Sequence, residues 1–304
     1  MNSRILAVAT AAALAATWTL VELPGKTPHA VPTAAKAATK PGDYRPWPTP
    51  YGKDPVSRAT GILWIYKPGK KTPSFCTASV VKSPSRSLIL TAAHCVQSGI
   101  GPKAKYYKKF QFIPAFSAKA DPKTGDKYDI KAPYGIWDVK KAWVSHAWQT
   151  SNASLWDGHP NRFSYIDVAV LSVAPDKRDR KIQDVVGGLT PKMTAKVSFP
   201  KFTTIGYPDE QTGKLRGNIL SACSGKAAPA SAKSGPGALY SAACVPGPGH
   251  SGGPWFSGTG ADATVFGVTS AGALFPEGAM GARLRPDTFG KIFTAADRWS
   301  RAKR

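Results

Sequence analysis

The chain has 304 residues, of which 42% are hydrophobic and 10% aromatic, so it is long enough to bury a substantial core and too apolar to be mainly disordered. Its 41 Lys and Arg residues against 18 Asp and Glu residues give a formal net charge of +23. A charge of this size favours contact with anionic wall polymers or other acidic surfaces, or simply keeps an exported protein hydrated. The basic residues are scattered and no nucleic-acid-binding motif accompanies them, so we expect no specific nucleic-acid partner.

Two segments precede the part of the chain that we expect to fold. Residues 1–30 begin with one basic residue, Arg4, followed by the apolar run Ile5–Leu20, a pattern typical of a secretory signal peptide. The alternative is a membrane anchor, but the run is short and diluted by Ala and Thr. Residues 31–55 are rich in proline and predict a flexible leader or pro-segment. We therefore expect an extracellular protein whose folded domain spans residues 56–304.

Short β-type runs separated by Gly, Pro and Lys turns dominate the chain from residue 61 onward. The lysine-rich segment 98–135 is interpreted largely as surface loops. Many short strands with few helices predict an all-β sandwich or barrel. In chain order the predicted strands are Ile62–Lys67, Phe75–Val81, Ser87–Thr91, Phe110–Phe116, Ala142–Ser145, Ile166–Val173, Thr203–Gly206, Ala263–Ser270 and Ala282–Leu284.

Helical signals are few until the end of the chain. Single turns are predicted at Ala92–Gln97 and Lys181–Val186. A longer helix is predicted over residues 287–302, with Asp287 as its N-cap and basic residues in its last turn. Its apolar residues recur at helical spacing and should form the buried stripe: Phe289, Ile292, Phe293, Ala296 and Trp299.

The four cysteines allow more than one arrangement. In an exported chain disulfides are the default, and four cysteines permit three pairings. The local pairing joins Cys76 to Cys95 and Cys223 to Cys244. A metal site is the alternative, but no CxxC, HxxxH or HExxH spacing occurs, so we predict none.

The segment 247–256, GPGHSGGPWF, suggests a nucleophilic serine. Glycines around Ser251 allow sharp turns that bring backbone N–H groups close to a bound atom. A serine hydroxyl needs a base to take its proton and donors to receive the resulting oxyanion, and the amides of Gly249 and Ser251 are suitable donors. The neighbouring His250 is a poor base, because adjacent side chains diverge. On this segment alone, an ordinary Gly-Ser loop is an equal alternative.

Two further residues complete a candidate catalytic group. His94, in LILTAAHCV (88–96), follows an apolar strand and adjoins Cys95, so a disulfide would fix its turn. Asp167, in SYIDVAVLSV (164–173), lies in an apolar run, where an ionised carboxylate needs a partner. His94 would serve as that partner, although hydrogen bonds to local backbone would also satisfy Asp167.

Together these segments resemble the chymotrypsin-like (trypsin-like) serine peptidases, especially secreted bacterial members similar to the V8-type, glutamyl endopeptidase-like enzymes. The similarity rests on TAAHC (91–95), DVAVL (167–171) and GHSGGP (249–254), with support from CTASVV (76–81), TIGYP (204–208) and GVTSAG (267–272). It extends from about residue 61 to the terminal helix.

The resemblance implies a fold and a set of roles. The expected fold class is all-β, with two six-stranded antiparallel β-barrels, one over about residues 56–180 and one over about 190–285, and a C-terminal α-helix. His94 would be the general base, Asp167 its orienting acid and Ser251 the nucleophile, with the Gly249 and Ser251 amides as the oxyanion hole. Cys76–Cys95 would flank the histidine, and we predict the local pairing, with Cys223–Cys244 as the second bridge. The implied activity is serine-type endopeptidase hydrolysis through an acyl-enzyme, without a cofactor, in a monomer that acts on proteins or peptides.

His250 stands where relatives of trypsin usually carry an Asp that pairs with a new N-terminus after zymogen cleavage. Since neither that Asp nor an Ile/Val-Gly-Gly activation site is evident, His250 is interpreted as a structural residue. The sequence GHSGG also fits the nucleophile elbow of α/β-hydrolases, but those require a histidine after the serine, and none follows Ser251. A weakly active or inactive barrel that binds anionic surfaces remains the non-enzymatic alternative.

Substrate specificity is predicted only in outline. By the resemblance, Thr269, Ser270, Ala271 and Gly272 would form one wall of the primary pocket, with Val245 and Pro246 near its base. Neither stretch contains an acid, which disfavours cleavage after Lys or Arg. Thr269 replaces a histidine common in glutamate-specific relatives, so apolar substrate side chains are the remaining expectation.

Overall fold

A computed structural model describes residues 44–70, 72–120, 128–151, 160–209, 219–231, 237–274 and 277–303. The predicted signal segment 1–30 and residues 31–43 of the proline-rich segment lie outside them. Among the described residues, no helix combines the length and the apolar character needed to cross a bilayer.

Strands make up most of the described structure. In chain order they are β1 (Arg45–Pro46), β2 (Thr60–Tyr66), β3 (Ser74–Val80), β4 (Leu88–Thr91), β5 (Lys109–Pro114), β6 (Ser117–Ala120), β7 (Tyr128–Lys131), β8 (Trp137–Val144), β9 (Ala169–Val173), β10 (Thr190–Pro191), β11 (Phe199–Gly206), β12 (Ser221–Pro229), β13 (Leu239–Ser241), β14 (Pro254–Ser257), β15 (Thr264–Leu274) and β16 (Glu277–Arg283). The α-helices are α1 (Pro55–Ala59), α2 (His146–Thr150), α3 (Ile182–Val186) and α4 (Lys291–Ala302).

The strands form two antiparallel barrels of six strands each. The first closes in the order β2-β3-β4-β9-β8-β5. The second closes because β12 pairs with β11 and also with β13, which completes the ring β11-β12-β13-β16-β15-β14. Strand β1 is added to β12, and β10 runs parallel to β15. The predicted fold class is therefore confirmed.

Alternating side chains place the apolar residues of a single strand in different hydrophobic clusters. Along β4, Ile89 belongs to the core of the first barrel, whereas its neighbours Leu88 and Leu90 belong to a larger cluster that also contains residues of the second barrel. The interior of the second barrel is rich in aromatic rings, with Phe202 stacked on Trp255 at a centroid distance of 4.4 Å. Successive residues of a strand face opposite sides. One strand therefore contributes side chains both to the interior of its own barrel and to the interface between the two barrels.

The terminal helix forms, but it begins later than predicted. Residues Pro286–Gly290 make a π-helical turn, and α4 follows at Lys291. Asp287 lies inside the π-helical turn and pairs with Arg285, Nε to Oδ1 at 2.9 Å, so its predicted capping role is wrong. The predicted periodicity is right, since Phe289 and Ile292 are buried.

Part of the proline-rich segment is packed rather than flexible. Trp47 donates its backbone N–H to Leu220 at 2.8 Å, and the hydroxyl of buried Tyr51 accepts from the N–H of Leu220 at 3.1 Å. With β1 paired to β12, the folded domain begins no later than Tyr44, and the predicted boundary at residue 56 is too late. Proline-rich composition alone did not reveal this packing because Trp and Tyr side chains provide it.

The sequence also missed short strands. The segment 98–135, interpreted largely as loops, contains the hairpin of β6 and β7 as well as the predicted β5. Strand β12 consists mainly of Gly, Ala, Ser and Pro residues, and β13 and β14 have only three and four residues, so none of them gives a clear β-type pattern of its own.

Candidate active site

Strand pairing in the first barrel brings His94 and Asp167 together. His94 lies in a 3₁₀ turn, Ala93–Cys95, that follows β4, and Asp167 lies just before β9. These strands are antiparallel neighbours, with Thr91 opposite Ala169, so the end of one strand meets the start of the other. His94 Nδ1 and Asp167 Oδ2 are 2.7 Å apart, and Oδ1 accepts the backbone N–H of His94 at 2.9 Å.

Asp167 is almost fully buried, and a residue of the second barrel completes its hydrogen bonding. Ser270, on β15, donates its hydroxyl to Asp167 Oδ2 at 2.6 Å, and the Oγ of Ser164 lies 3.1 Å from that of Ser270. The carboxylate has therefore its ring, backbone and hydroxyl partners in place, as a buried charge requires. Sequence analysis predicted Ser270 only as part of the pocket wall and did not predict its contact with Asp167. The motif GVTSAG was the only sequence feature that drew attention to this residue.

The charge of Asp167 governs the basicity of His94. Burial of the ring is the largest single effect and lowers the pKa of His94. The negative charge and hydrogen bond of Asp167 together outweigh it, so the pKa is raised above its ordinary value, while the positive charge of Lys67 acts in the lowering sense. The imidazolium form of His94 is therefore stabilised relative to the neutral ring.

Hydrogen bonds hold the loop of Ser251 between the two barrels. The carbonyl of Ser251 accepts from the N–H of Thr77 on β3 at 2.8 Å, and Thr77 Oγ1 donates to the carbonyl of Gly249 at 2.8 Å. Gly252 has φ +80°, and a Cβ there would collide with Thr91 Oγ1 at the end of β4. The loop is thus pressed against the strand that leads into the turn of His94.

The Ser251 side chain is partly exposed, and its hydroxyl makes no hydrogen bond with any residue in the described ranges. His94 Nε2 lies 3.8 Å from Cys95 Sγ. Asp167 and His94 are therefore in direct contact, and the hydrogen bonds of the Ser251 loop place Ser251 at the same interface between the two barrels.

The loop also presents backbone donors. Gly249 has φ +91°, and a Cβ there would lie 2.6 Å from Phe75 Cε2, so both conformation and space require glycine. The N–H groups of Gly249 and Ser251 have no acceptor within the described part of the chain. Two unpaired backbone N–H groups that flank a single residue, His250, provide a site where an oxyanion can accept hydrogen bonds.

His250 is directed away from Ser251 and into the protein. Its Nδ1 accepts the N–H of Gly247 at 3.0 Å, and its Nε2 lies 3.0 Å from Ser221 Oγ. Burial lowers the pKa of His250 to about 3, although the carbonyl oxygen of Gly247, 3.3 Å from Nδ1, favours a protonated Nδ1 and so acts in the opposite sense. A neutral ring bonded at both nitrogens stabilises the turn rather than accepting a proton.

The residues predicted for the primary pocket divide into two groups. Thr269 is buried and accepts from Trp255 Nε1 at 2.9 Å, and Ser270 is bonded to Asp167, so neither side chain offers pocket surface. Val245 and Gly272 are exposed, Pro246 and Ala271 are half-buried, and a Cβ on Gly272 would lie 3.3 Å from the Pro246 carbonyl oxygen. The two predicted stretches therefore do face each other.

Both predicted disulfides form, with Cα–Cα distances of 6.2 Å for Cys76–Cys95 and 5.8 Å for Cys223–Cys244. Among the described residues, Cys76, His94 and Cys95 approach the spacing of a metal site. Their two sulfurs are joined to each other, so they do not provide the thiolates that a metal would need. The bridge instead fastens the turn of His94 to β3.

Comparison with known proteins identifies the family. A family model described as "Trypsin-like peptidase domain" matches residues 76–268, which include all three candidate catalytic residues. The chain belongs to this family of serine-type endopeptidases. A search of curated proteins finds no match.

Solved structures show the same fold. The protease Anisep from Arthrobacter nicotinovorans is 23% identical, with a TM-score of 0.62 and coverage of 80% of this chain and 97% of that one. The thermostable serine protease AL20, from an extremophilic microorganism, is 20% identical, with a TM-score of 0.64 and coverage of 80% and 98%. A Glu endopeptidase is 20% identical, with a TM-score of 0.55 and coverage of 80% and 93%.

Proposed function

We propose that this protein is a secreted serine endopeptidase that hydrolyses peptide bonds with Ser251, His94 and Asp167. The observation that carries the proposal is the 2.7 Å contact between His94 Nδ1 and Asp167 Oδ2, next to a glycine-rich loop that carries a partly exposed serine. Peptide and protein chains are the corresponding substrates. Two disulfides and the signal-like segment at residues 1–30 support export.

In the first stage Ser251 Oγ attacks the substrate carbonyl carbon, and His94 Nε2 takes the hydroxyl proton. The carbonyl oxygen becomes an oxyanion that accepts from the N–H groups of Gly249 and Ser251. His94 then gives its proton to the leaving amine, the C–N bond breaks, and an acyl-enzyme remains.

In the second stage water attacks the acyl-enzyme, with His94 again as the base. The carboxylic acid is released, and Ser251 regains its proton. Throughout both stages Asp167 keeps His94 in the tautomer that protonates Nδ1 and leaves Nε2 free to accept. Since Ser270 and the His94 backbone also donate to Asp167, the carboxylate is held in a fixed orientation.

A fluorophosphonate probe, which reacts with activated serines, tests this assignment. The wild-type protein should be labelled, and Ser251→Ala should not be. Ser257→Ala is the matched control because Ser257 lies on β14, where its Oγ is 3.2 Å from Thr264 Oγ1, and it should be labelled like the wild type.

The same experiment separates the non-enzymatic alternative. A folded wild-type protein with both disulfides that is neither labelled nor able to cleave a peptide library would overturn the peptidase proposal. If that protein bound an anionic wall polymer in a salt-sensitive manner, the cationic binding function would replace it.

A further inference from the structure

We propose that Lys67 selects substrates that carry a carboxylate in the half of the peptide released as the leaving amine. This inference rests on the proposed peptidase function. Its starting point is the hairpin of β2 and β3, which the Cys76–Cys95 bridge ties to the turn of His94.

The strand register places Lys67 on the same side of the hairpin as the disulfide. Leu63 is opposite Cys76, and Ile65 is opposite Ser74. Cross-strand partners project to the same face, and the side-chain period along a strand is two. Lys67 follows directly after β2 and continues the series of residues 63 and 65, so it extends the disulfide face toward solvent.

A second contact fixes the ammonium group. Lys67 Nζ lies 5.4 Å from the ring centroid of Tyr107, within the range of a cation–π interaction. Tyr107 is itself anchored beside the turn of His94, because its N–H donates to the carbonyl of Val96 at 3.0 Å. The flexible lysine therefore has a defined position near the catalytic histidine.

The Lys67 charge reaches the reacting group. The charges of Asp167 and Lys67 both act on His94: Asp167 raises the pKa of His94, and Lys67 lowers it. The Asp167 carboxylate is buried and bonded on several sides, whereas Lys67 is exposed. A bound peptide consequently meets the positive charge and not the negative one. Lys70, also exposed at the turn of this hairpin, adds charge of the same sign.

The two barrels divide the substrate between them. The acyl half belongs to the surface made by Pro246, Ala271 and Gly272 on the second barrel. The leaving half must continue on the other side of Ser251, past His94 Nε2 and the Cys76–Cys95 bridge, whose Cys95 Sγ lies 3.8 Å from that nitrogen. That direction leads to the β2–β3 hairpin and Lys67. An Asp or Glu side chain after the scissile bond, or the free carboxyl end of a short substrate, supplies the matching charge.

Matched peptides test the selection. A cleaved sequence from a peptide library is remade with Glu, Gln or Lys at the first or second position after the scissile bond, each with a free and with an amidated C-terminus. For an exposed ion pair we expect kcat/KM to favour Glu over Gln by about two- to fivefold at low salt. The preference should fade near about 1 M salt, where the Debye length is about 3 Å. Comparison of the free and amidated series shows whether a side chain or the chain end supplies the carboxylate.

Three variants assign the effect. Lys67→Gln should abolish the preference, and Lys67→Arg should retain it. Lys109→Gln is the control, since Lys109 also lies over a tyrosine ring, Tyr66, at 4.6 Å, but is paired with Tyr66 across β2 and β5, on the face opposite to Lys67. Lys67→Gln should also move the acidic limb of the pH–rate profile upward, and Lys109→Gln should leave it in place.

An equal preference in the wild type and in Lys67→Gln, with neutral peptides still cleaved, would overturn this inference and leave the peptidase function standing. Absence of both cleavage and fluorophosphonate labelling would remove the proposed function, and the inference with it.

Discussion

The ring of Tyr44 lies against the ring of His250, with centroids 3.8 Å apart and planes inclined by 34°. Tyr44 precedes the short strand β1, and His250 immediately precedes Ser251. The His250 ring in turn accepts the N–H of Gly247 and approaches Ser221. The N-terminal segment therefore supports the loop that carries Ser251 and the amides proposed as oxyanion donors, although it lies outside both barrels.

Removing the Tyr44 ring should impair catalysis more than substrate binding. Tyr44→Ala leaves His250 without its ring contact, so the Gly249 and Ser251 amides are held less firmly. Loss of a whole oxyanion donor costs about a hundredfold or more in kcat, and we expect a decrease of up to about that size. Tyr44→Phe keeps the ring and should keep most of the activity. Steady-state kinetics of the two variants provide the measurement; equal kcat values for Tyr44→Ala and wild type would show that the segment is dispensable.

The raised pKa of His94 determines the acidic side of the pH–rate profile. In the proposed mechanism only neutral His94 accepts the proton of Ser251, so activity should rise as pH increases through a value above the ordinary imidazole pKa of about 6.5. Asp167→Asn removes both effects that raise the pKa and leaves burial and Lys67, which lower it. In Asp167→Asn the acidic limb of the pH–rate profile should therefore move to lower pH, and kcat should fall by about ten-thousandfold.

Asp184→Asn is the control for this experiment, because Asp184 is an exposed aspartate that pairs with Arg86 at 3.0 Å and not with His94. Its profile should match that of the wild type. An unshifted limb in Asp167→Asn, measured as kcat/KM against pH, would contradict the electrostatic role of Asp167.

His250 should make the fold sensitive to acid. Its pKa is about 3 in the folded state, against about 6.5 when unfolded, so between these values the unfolded chain binds one more proton. The free energy of unfolding should therefore fall by about 1.4 kcal/mol for each pH unit below the unfolded pKa. His250→Gln removes the titrating group and should show a shallower decline. Urea unfolding of the wild type and His250→Gln at several pH values measures the difference between their free energies of unfolding. The opposite contribution of His94 is common to both proteins and cancels in this difference. Parallel plots of the free energy of unfolding against pH would refute the role of His250.

Much of the architecture was readable from local sequence. The apolar runs of β4 and β9 predicted buried strands because β-branched and aliphatic residues recur there without turn residues. By contrast, β12 was missed because its small residues give no strand pattern, and β13 because it has only three residues; pairing with β11 and β16 makes them strands. Aspartate is a favoured N-cap residue, but Asp287 lies inside the π-helical turn and bonds to Arg285 instead of capping α4.

The sequence by itself determined the residue types of the candidate site and their local settings: a histidine after a buried strand, an aspartate in an apolar run and a serine among glycines. Tertiary structure decided how they are supported. The β4–β9 register aligned Asp167 with His94, Ser270 reached Asp167 from the other barrel, and Tyr44 reached His250 from the proline-rich segment. Periodicity and turn chemistry encode only near neighbours, whereas these contacts join residues far apart in the chain, so only the packing of the two barrels specifies them.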